Sequence, residues 1–253
     1  MTAVSKYTDT CKTHGEFESE IMEIIPGANP LRKGCPACLA QRQKEREEDE
    51  AEKARIKANE QRIARENKMI RAGITMRFKD KGFDDFQATT PEQEKAKAAM
   101  MGLVDAIKNK GEAKNLILTG KPGTGKSHLC CAVINSLFAT HHVRRIDLPS
   151  LVREIRATWA KGSEDTEDDV IHEYGRLDLL ILEEAGTGTG SEDEKSRIFS
   201  VLNMRYEWCL PTVIVTNLGL DALKSELGDR VIDRLREGGA LVPFDWESAR
   251  GRK

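Results

Sequence analysis

Eight consecutive residues, Gly120, Lys121, Pro122, Gly123, Thr124, Gly125, Lys126 and Ser127, fit the phosphate-loop pattern GxxxxGK[ST]. The spacing has a chemical reason. Glycines let successive backbone N–H groups converge on phosphate oxygens, Lys126 neutralises the β and γ phosphates, and Ser127 offers its hydroxyl to magnesium. A chance glycine-rich turn would lack the flanking elements. Here the apolar segment 115–119 precedes the octet as a predicted strand, and HLCCAVINSLFAT follows as a predicted helix whose dipole adds to the pull on an anion. The expected ligands are ATP and Mg2+, with His128 counted among the nucleotide contacts.

A second apolar run, 177–182, ends in Glu183 and Glu184. Carboxylates at the carboxyl end of a parallel strand lie where ligands of open α/β sheets bind. In a phosphate-loop ATPase the first acid holds magnesium together with Ser127, and the second orients the attacking water. Glu183 and Glu184 are assigned those roles. The first position is normally Asp, so the extra methylene of Glu183 implies a shifted geometry and slow or altered hydrolysis. The alternative is a surface turn with two solvated carboxylates. A third run, 211–216, ends in Asn217, whose amide reaches the γ-phosphate or the water if its strand neighbours the other two.

Near the N-terminus, Cys11-x2-His14 and Cys35-x2-Cys38 are separated by twenty residues. Two ligand pairs at this spacing suit a closed tetrahedral Zn2+ site, and Gly15, Gly34 and Pro36 permit the tight turns. Residues 1–40 have little apolar periodicity, so a metal would supply folding energy that burial cannot. The competing reading is unrelated reduced thiols and a solvent histidine. Cys130, Cys131 and Cys209 sit in apolar segments and are expected to be buried thiols.

These groups need elements to position them. From Leu39 to Arg71 there is no Pro or Gly and the residues are strong helix formers, predicting one long helix that ends at Gly73. Ile56, Ile63 and Ile70 recur every seven residues, a stripe that serves either as a docking face or as part of a solvated connecting helix. Beyond residue 90 the apolar runs LILTG, RRIDL, LDLLILEE and PTVIVTN alternate with helical stretches. That pattern predicts a parallel sheet covered on both faces. The 253 residues suffice for one sizeable core plus an appendage, and a net charge of -2 does not by itself demand nucleic acid. No apolar run approaches bilayer length, so no membrane partner and a cytoplasmic location are expected.

The segments GITMRFKDKGFDDF, GKPGTGKSHL, LDLLILEEAG, VTN, LGDRVIDRLREGG and FDWESAR, in this order, resemble the DnaC-type helicase loaders, an AAA+ family related to the bacterial initiator and to the helper ATPases of insertion elements. The resemblance covers roughly residues 73–250. It implies an α/β fold, an AAA+ P-loop three-layer core with a parallel sheet. The division would be a zinc-binding module at 1–40, a long charged connecting helix at 41–72 and the ATPase domain at 73–253. By the same resemblance Asn217 is the first sensor, Arg234 the arginine finger acting on a neighbouring subunit and Arg250 the second sensor. Read from spacing alone, Arg230 and Arg234 share a helix face and pair equally well with Asp229 and Asp233.

The family further implies a hexameric replicative DNA helicase as partner, self-association through AAA+ interfaces, and single-stranded DNA contact along LPSLVREIRATWAKG. There Arg153, Arg156, Trp159 and Lys161 combine charge with a stacking ring. The bland reading packs Leu151, Ile155 and Trp159 on the sheet at i, i+4 and i+8. The N-terminal quartet resembles phage-borne relatives rather than the cellular loader. Three rivals remain: a transposition helper ATPase on duplex DNA, a small-molecule kinase, and an adaptor that binds ATP without hydrolysing it.

Overall fold

The computed structural model describes residues 4–22, 31–32, 34–187 and 191–249, with backbone alone at 4, 5, 21, 22, 31 and 32. The chain divides into two compact units, residues 1–64 and 65–253.

In the first unit, a segment that reads from sequence only as coreless forms a hairpin. Strand β1 (Val4–Cys11) pairs antiparallel with β2 (Gly15–Met22), with Tyr7 opposite Ser19 and Cys11 opposite Gly15. Gly15, at φ +76°, supplies the left-handed backbone that ends the turn. Tyr7 and Phe17 are diagonal neighbours on one face, their rings edge-on at 6.4 Å. A short β3 (Leu31–Arg32) continues the sheet beside β2.

Helix α1 (Pro36–Arg71) starts directly after Cys35 and buries none of its residues. At about 1.5 Å per residue it is roughly 54 Å long. Exposed pairs such as Lys44–Glu48 (3.7 Å) and Gln41–Glu45 (3.1 Å) lie one turn apart, each adding about 0.3–0.5 kcal/mol at most. Its last turn belongs to the second unit and ends as the sequence predicts. Gly73 N–H donates to Ile70 O (2.9 Å) and Ile74 N–H to Met69 O (3.0 Å), with Gly73 at φ +80°. That pair of bonds satisfies two of the carbonyls the helix end would leave free and turns the chain.

The second unit holds a five-stranded parallel sheet. Its strands are β4 (Leu116–Gly120), β5 (Val143–Asp147), β6 (Leu179–Glu183), β7 (Thr212–Thr216) and β8 (Ala240–Phe244). The spatial order is β5-β6-β7-β4-β8, every neighbouring pair parallel. Strand alternation sends Leu116, Leu118, Leu179, Ile181, Val213 and Val215 to one face, where α2 (Pro91–Lys108) and α3 (Lys126–Leu137) cover them. Ile117, Leu180, Leu182 and Ile214 point to the other face. That face is covered by α4 (Leu148–Ala157), α5 (Glu167–Gly175), α6 (Glu192–Glu207), α7 (Leu220–Leu227) and α8 (Asp229–Arg236). The result is the three-layer α/β arrangement expected for near-continuous apolar strands. Among the described residues no helix is long and apolar enough to cross a membrane.

Candidate functional site

β4 leads into the glycine-rich loop at Gly120, and α3 begins at Lys126. Gly123 (φ +81°) and Gly125 (φ +97°) adopt left-handed backbone that a side chain would strain. Close packing is a second reason for glycine. A Cβ on Gly120 would lie 2.3 Å from Phe244 O, and one on Gly125 would lie 2.6 Å from Phe86 Cε2. Lys126 Nζ donates to Gly120 O (2.6 Å) and Lys121 O (2.8 Å), and Thr124 Oγ1 donates to Lys121 O (2.8 Å). The lysine therefore lies along the inside of the loop, at the N-terminal end of α3, where an anion is favoured. Pro122 and Lys121 form the exposed tip, and Ser127 is half-buried in the first turn of α3.

The acid pair sits two strands away. Glu183 ends β6, is 9% exposed, and forms an ion pair through Oε2 with Arg145 Nη2 of β5; its other oxygen, Oε1, is buried with no hydrogen-bond partner. An orphaned carboxylate oxygen is costly unless a donor or a hydrated cation completes it, so Glu183 fits the magnesium-side position. Glu184 is exposed at φ +54°, its carbonyl accepting from Thr187 N (3.2 Å) and Oγ1 (2.9 Å). β7 lies between β6 and β4. Thr216 Oγ1 donates to Ala185 O (2.5 Å), Ala185 N–H donates to Val215 O (3.1 Å), and Thr216 pairs with Thr119. Asn217 follows, exposed. The loop, both acids and Asn217 thus gather at the carboxyl ends of three adjacent strands.

Flanking segments close on the loop from two directions. His128 lies tilted against Phe78 (6.0 Å) and edge-on to Phe86 (5.8 Å) while its Nε2 donates to Gly82 O (3.2 Å), which ties GITMRFKDKGFDDF to α3. From the C-terminal side, Trp246 Nε1 donates to Thr124 O and Ala249 N–H to Gly123 O, both at 2.9 Å. Neither Trp246 nor Arg145 has a sequence signal that marks it for this site. Each reaches its partner through strand order or chain return, which local spacing does not encode. Arg250 lies outside the described residues.

Other assigned residues sit farther from this cluster or differ from expectation. Arg234 is half-buried on α8, bonded to Asn203 Oδ1 and stacked over Phe199 (4.9 Å) and Tyr206 (5.1 Å). Arg230 is exposed, and among the described residues neither arginine is ion-paired to Asp229 or Asp233. On the basic face, Leu151 and Ile155 are fully buried as the amphipathic reading requires, but Trp159 is 55% exposed. The reason is local: α4 ends at Ala157, so the i+8 position falls in a turn. Its ring lies against Arg197 (4.4 Å) and its Nε1 donates to Glu167 (2.9 Å). Arg156 is paired with Asp193 (3.3 Å), and Arg153 is exposed. Cys130 and Cys131 are buried as expected, but Cys209 is exposed, in the turn after α6 at φ +51°.

In the first unit Cys11, His14, Cys35 and Cys38 bring one ligand atom each to within 4.8 Å of one another. The separations are 3.5 Å for Cys11–Cys38 Sγ, and 3.7, 3.7 and 3.2 Å from His14 Nδ1 to Cys11, Cys35 and Cys38. A tetrahedron with Zn–S bonds of about 2.3 Å has edges of roughly 3.8 Å, so this quartet fits Zn2+. Backbone donors at Thr13 and His14 lower the Cys11 thiol to about 6, while the bond from Cys11 pushes Cys38 up to about 11. The hairpin turn and the start of α1 supply two ligands each.

A five-stranded parallel sheet carrying this loop, acid pair and strand-end asparagine defines an AAA+ P-loop ATP-binding domain. Comparison with known proteins agrees. Residues 38–253 match the family described as IstB-like ATP binding protein. The replicative helicase loader DnaC of Buchnera aphidicola subsp. Acyrthosiphon pisum (strain APS) is 32% identical over 197 residues, covering 74% of this chain and 79% of that protein. The Escherichia coli (strain K12) DnaC is 30% identical over 184 residues, covering 72% and 74%. The crystal structure of the DnaC helicase loader superposes with a TM-score of 0.58 at 22% identity, covering 67% of this chain and 99% of that one. The chain belongs to the IstB-like ATP-binding family, among its DnaC-type members.

Proposed function

We propose that this protein is an ATP-dependent helicase loader that grips a hexameric replicative DNA helicase and helps place it on single-stranded DNA as replication begins. One observation carries the reading: a gathered nucleotide site stands on a chain that matches a replicative helicase loader over 79% of the loader's length. Residues 120–128 hold ATP, with Lys126 at the β and γ phosphates. Ser127 and Glu183 hold Mg2+, which neutralises charge on the phosphates when bound. Glu184 orients the attacking water and Asn217 senses the γ-phosphate. Arg234 serves a neighbouring subunit's nucleotide by exchanging Asn203, Phe199 and Tyr206 for phosphate, and Arg250 is the second sensor. Residues 1–40 form a Zn2+ module, 41–72 a connecting helix and 73–253 the ATPase, in a cytoplasmic protein.

A loader must hold its partner differently in different nucleotide states, because a ligand shifts an equilibrium only through differential affinity. The direct test is native mass spectrometry of the full chain mixed with the hexameric helicase of its own replication system, with and without ATP. A complex whose stoichiometry or stability changes with ATP is expected. Failure to associate in both states would sink the loader role. The family's IstB-like name favours one second reading, a transposition helper acting on duplex DNA. Tighter binding to duplex than to single strands of equal length, with no helicase complex, would select it.

A further inference from the structure

Arg145 occupies the centre of β5, where its side chain is 14% exposed, beside Glu183 at 11%. Burial pulls its pKa down, but the charge and hydrogen bond of Glu183 outweigh that and leave it above the ordinary arginine value. It is therefore a fixed cation next to the acid assigned to magnesium. The same residue also holds the end of α1. Its Nη1 donates to Gly73 O (3.0 Å) and its backbone N–H donates to Ala72 O (3.0 Å). Its own carbonyl packs so closely that a Cβ on Gly73 would lie 1.9 Å away. Two polar atoms of the pair remain buried without a partner, Arg145 Nε and Glu183 Oε1.

We propose that Arg145 is a positioning residue that couples Glu183 to the Ala72–Ile74 joint closing α1, so that magnesium–nucleotide at the loop alters the hold on that joint. The proposal rests on the nucleotide reading given above and adds a route out of the site. The physical basis is competition for one carboxylate. With both side chains this buried, a hydrated dication drawing on Glu183 weakens the pull of that acid on the guanidinium. The guanidinium's other bond runs to Gly73 O, so a change at Glu183 is felt at the joint. A two-bond fork with fixed geometry transmits that shift, which a flexible ammonium would absorb.

Hydrogen exchange on the full chain tests this, comparing saturating ATP alone with ATP plus Mg2+ and reading peptides that span residues 69–79 and 120–130. In the unmodified protein, exchange at residues 72–75 should change about fivefold on adding Mg2+, the low end of ordinary coupling between sites. Arg145→Met should abolish that change while the loop peptide remains protected by ATP. Glu183→Gln keeps an oxygen for Arg145 and the size of the side chain, so it should fold even if Arg145→Met does not. It too should lose the Mg2+-dependent change. A protected loop with an unchanged joint, or a joint response that survives both substitutions, overturns the coupling. A loop that ATP fails to protect in the unmodified protein overturns the nucleotide reading itself, and the coupling with it.

Discussion

In residues 1–64 the only described side chains that are buried are Ser19 and Cys35. Residues 65–253 bury two continuous apolar clusters, one on each face of the sheet. The contrast shows two ways of offsetting chain entropy. The larger unit removes enough apolar surface from water to order its own backbone. The smaller unit has two strands rich in Thr, Ser and Glu and a helix without a buried face, so its order has to come from somewhere else. Among the described residues, the four ligand atoms at the hairpin turn and the head of α1 are a feature able to supply it.

Removing the Zn2+ proposed for this quartet should therefore break one side of the comparison and spare the other. Structural zinc sites in small coreless domains contribute on the order of 10 kcal/mol, more than such a unit has to lose. Cys35→Ser, or a strong chelator, should remove one zinc mass from the native spectrum. Limited proteolysis should then cut within residues 4–35. The thermal transition of the ATPase unit should stay within about a degree of its original value. A shared loss of both transitions would show that the two units depend on each other for stability.

The converse break lies in the larger unit. Arg205, 1% exposed, donates to Thr212 Oγ1 (2.9 Å), Tyr174 O (2.9 Å), Leu177 O (2.8 Å) and Pro211 O (2.6 Å). It pins the ends of α5, β6 and β7 from inside. Arg205→Met removes the donor from each of these acceptors, of which only Pro211 O keeps another among the described residues, Leu180 N–H at 3.5 Å, and should cost about 3–5 kcal/mol in urea unfolding. The same chemistry compared across units sharpens the contrast. Ile134→Ala, in a fully buried position on α3, should cost about 2–5 kcal/mol. Ile63→Ala, on the exposed stripe of α1 at 44% exposure, should change stability by less than about 0.5 kcal/mol.

Legibility followed the same division. The loop, the acid pair, the sheet class and the ligand quartet could be read because each is local: a short motif, or an apolar run bounded by turns. The end of α1 could be read because Gly73 alone among its neighbours accepts φ +80°. The hairpin could not, since THG between polar strands carries little periodicity and its pairing rests on cross-strand neighbours such as Tyr7 and Phe17. Trp159 and Cys209 fall just past helix ends, where a shift of one residue reverses burial. Arg145 carries no such local signal, because only the adjacency of β5 and β6 brings it to Glu183.

A more local effect is expected at the C-terminal return, where the chain closes on its own loop. Trp246 lies 4.7 Å from the Phe244 ring and its indole N–H caps Thr124 O, a carbonyl inside the phosphate loop. Trp246→Phe retains the aromatic packing and deletes only the donor. The loss should be about 1 kcal/mol, the net worth of one such bond. If that bond mainly shapes the loop, the cost will appear in nucleotide affinity, as roughly a fivefold weaker Kd for a fluorescent ATP analogue with the melting temperature little changed. If it mainly anchors the tail, the melting temperature will fall and affinity will hold. The first outcome places the C-terminal segment within the nucleotide site, and the second makes it part of the packing that holds β8 against β4.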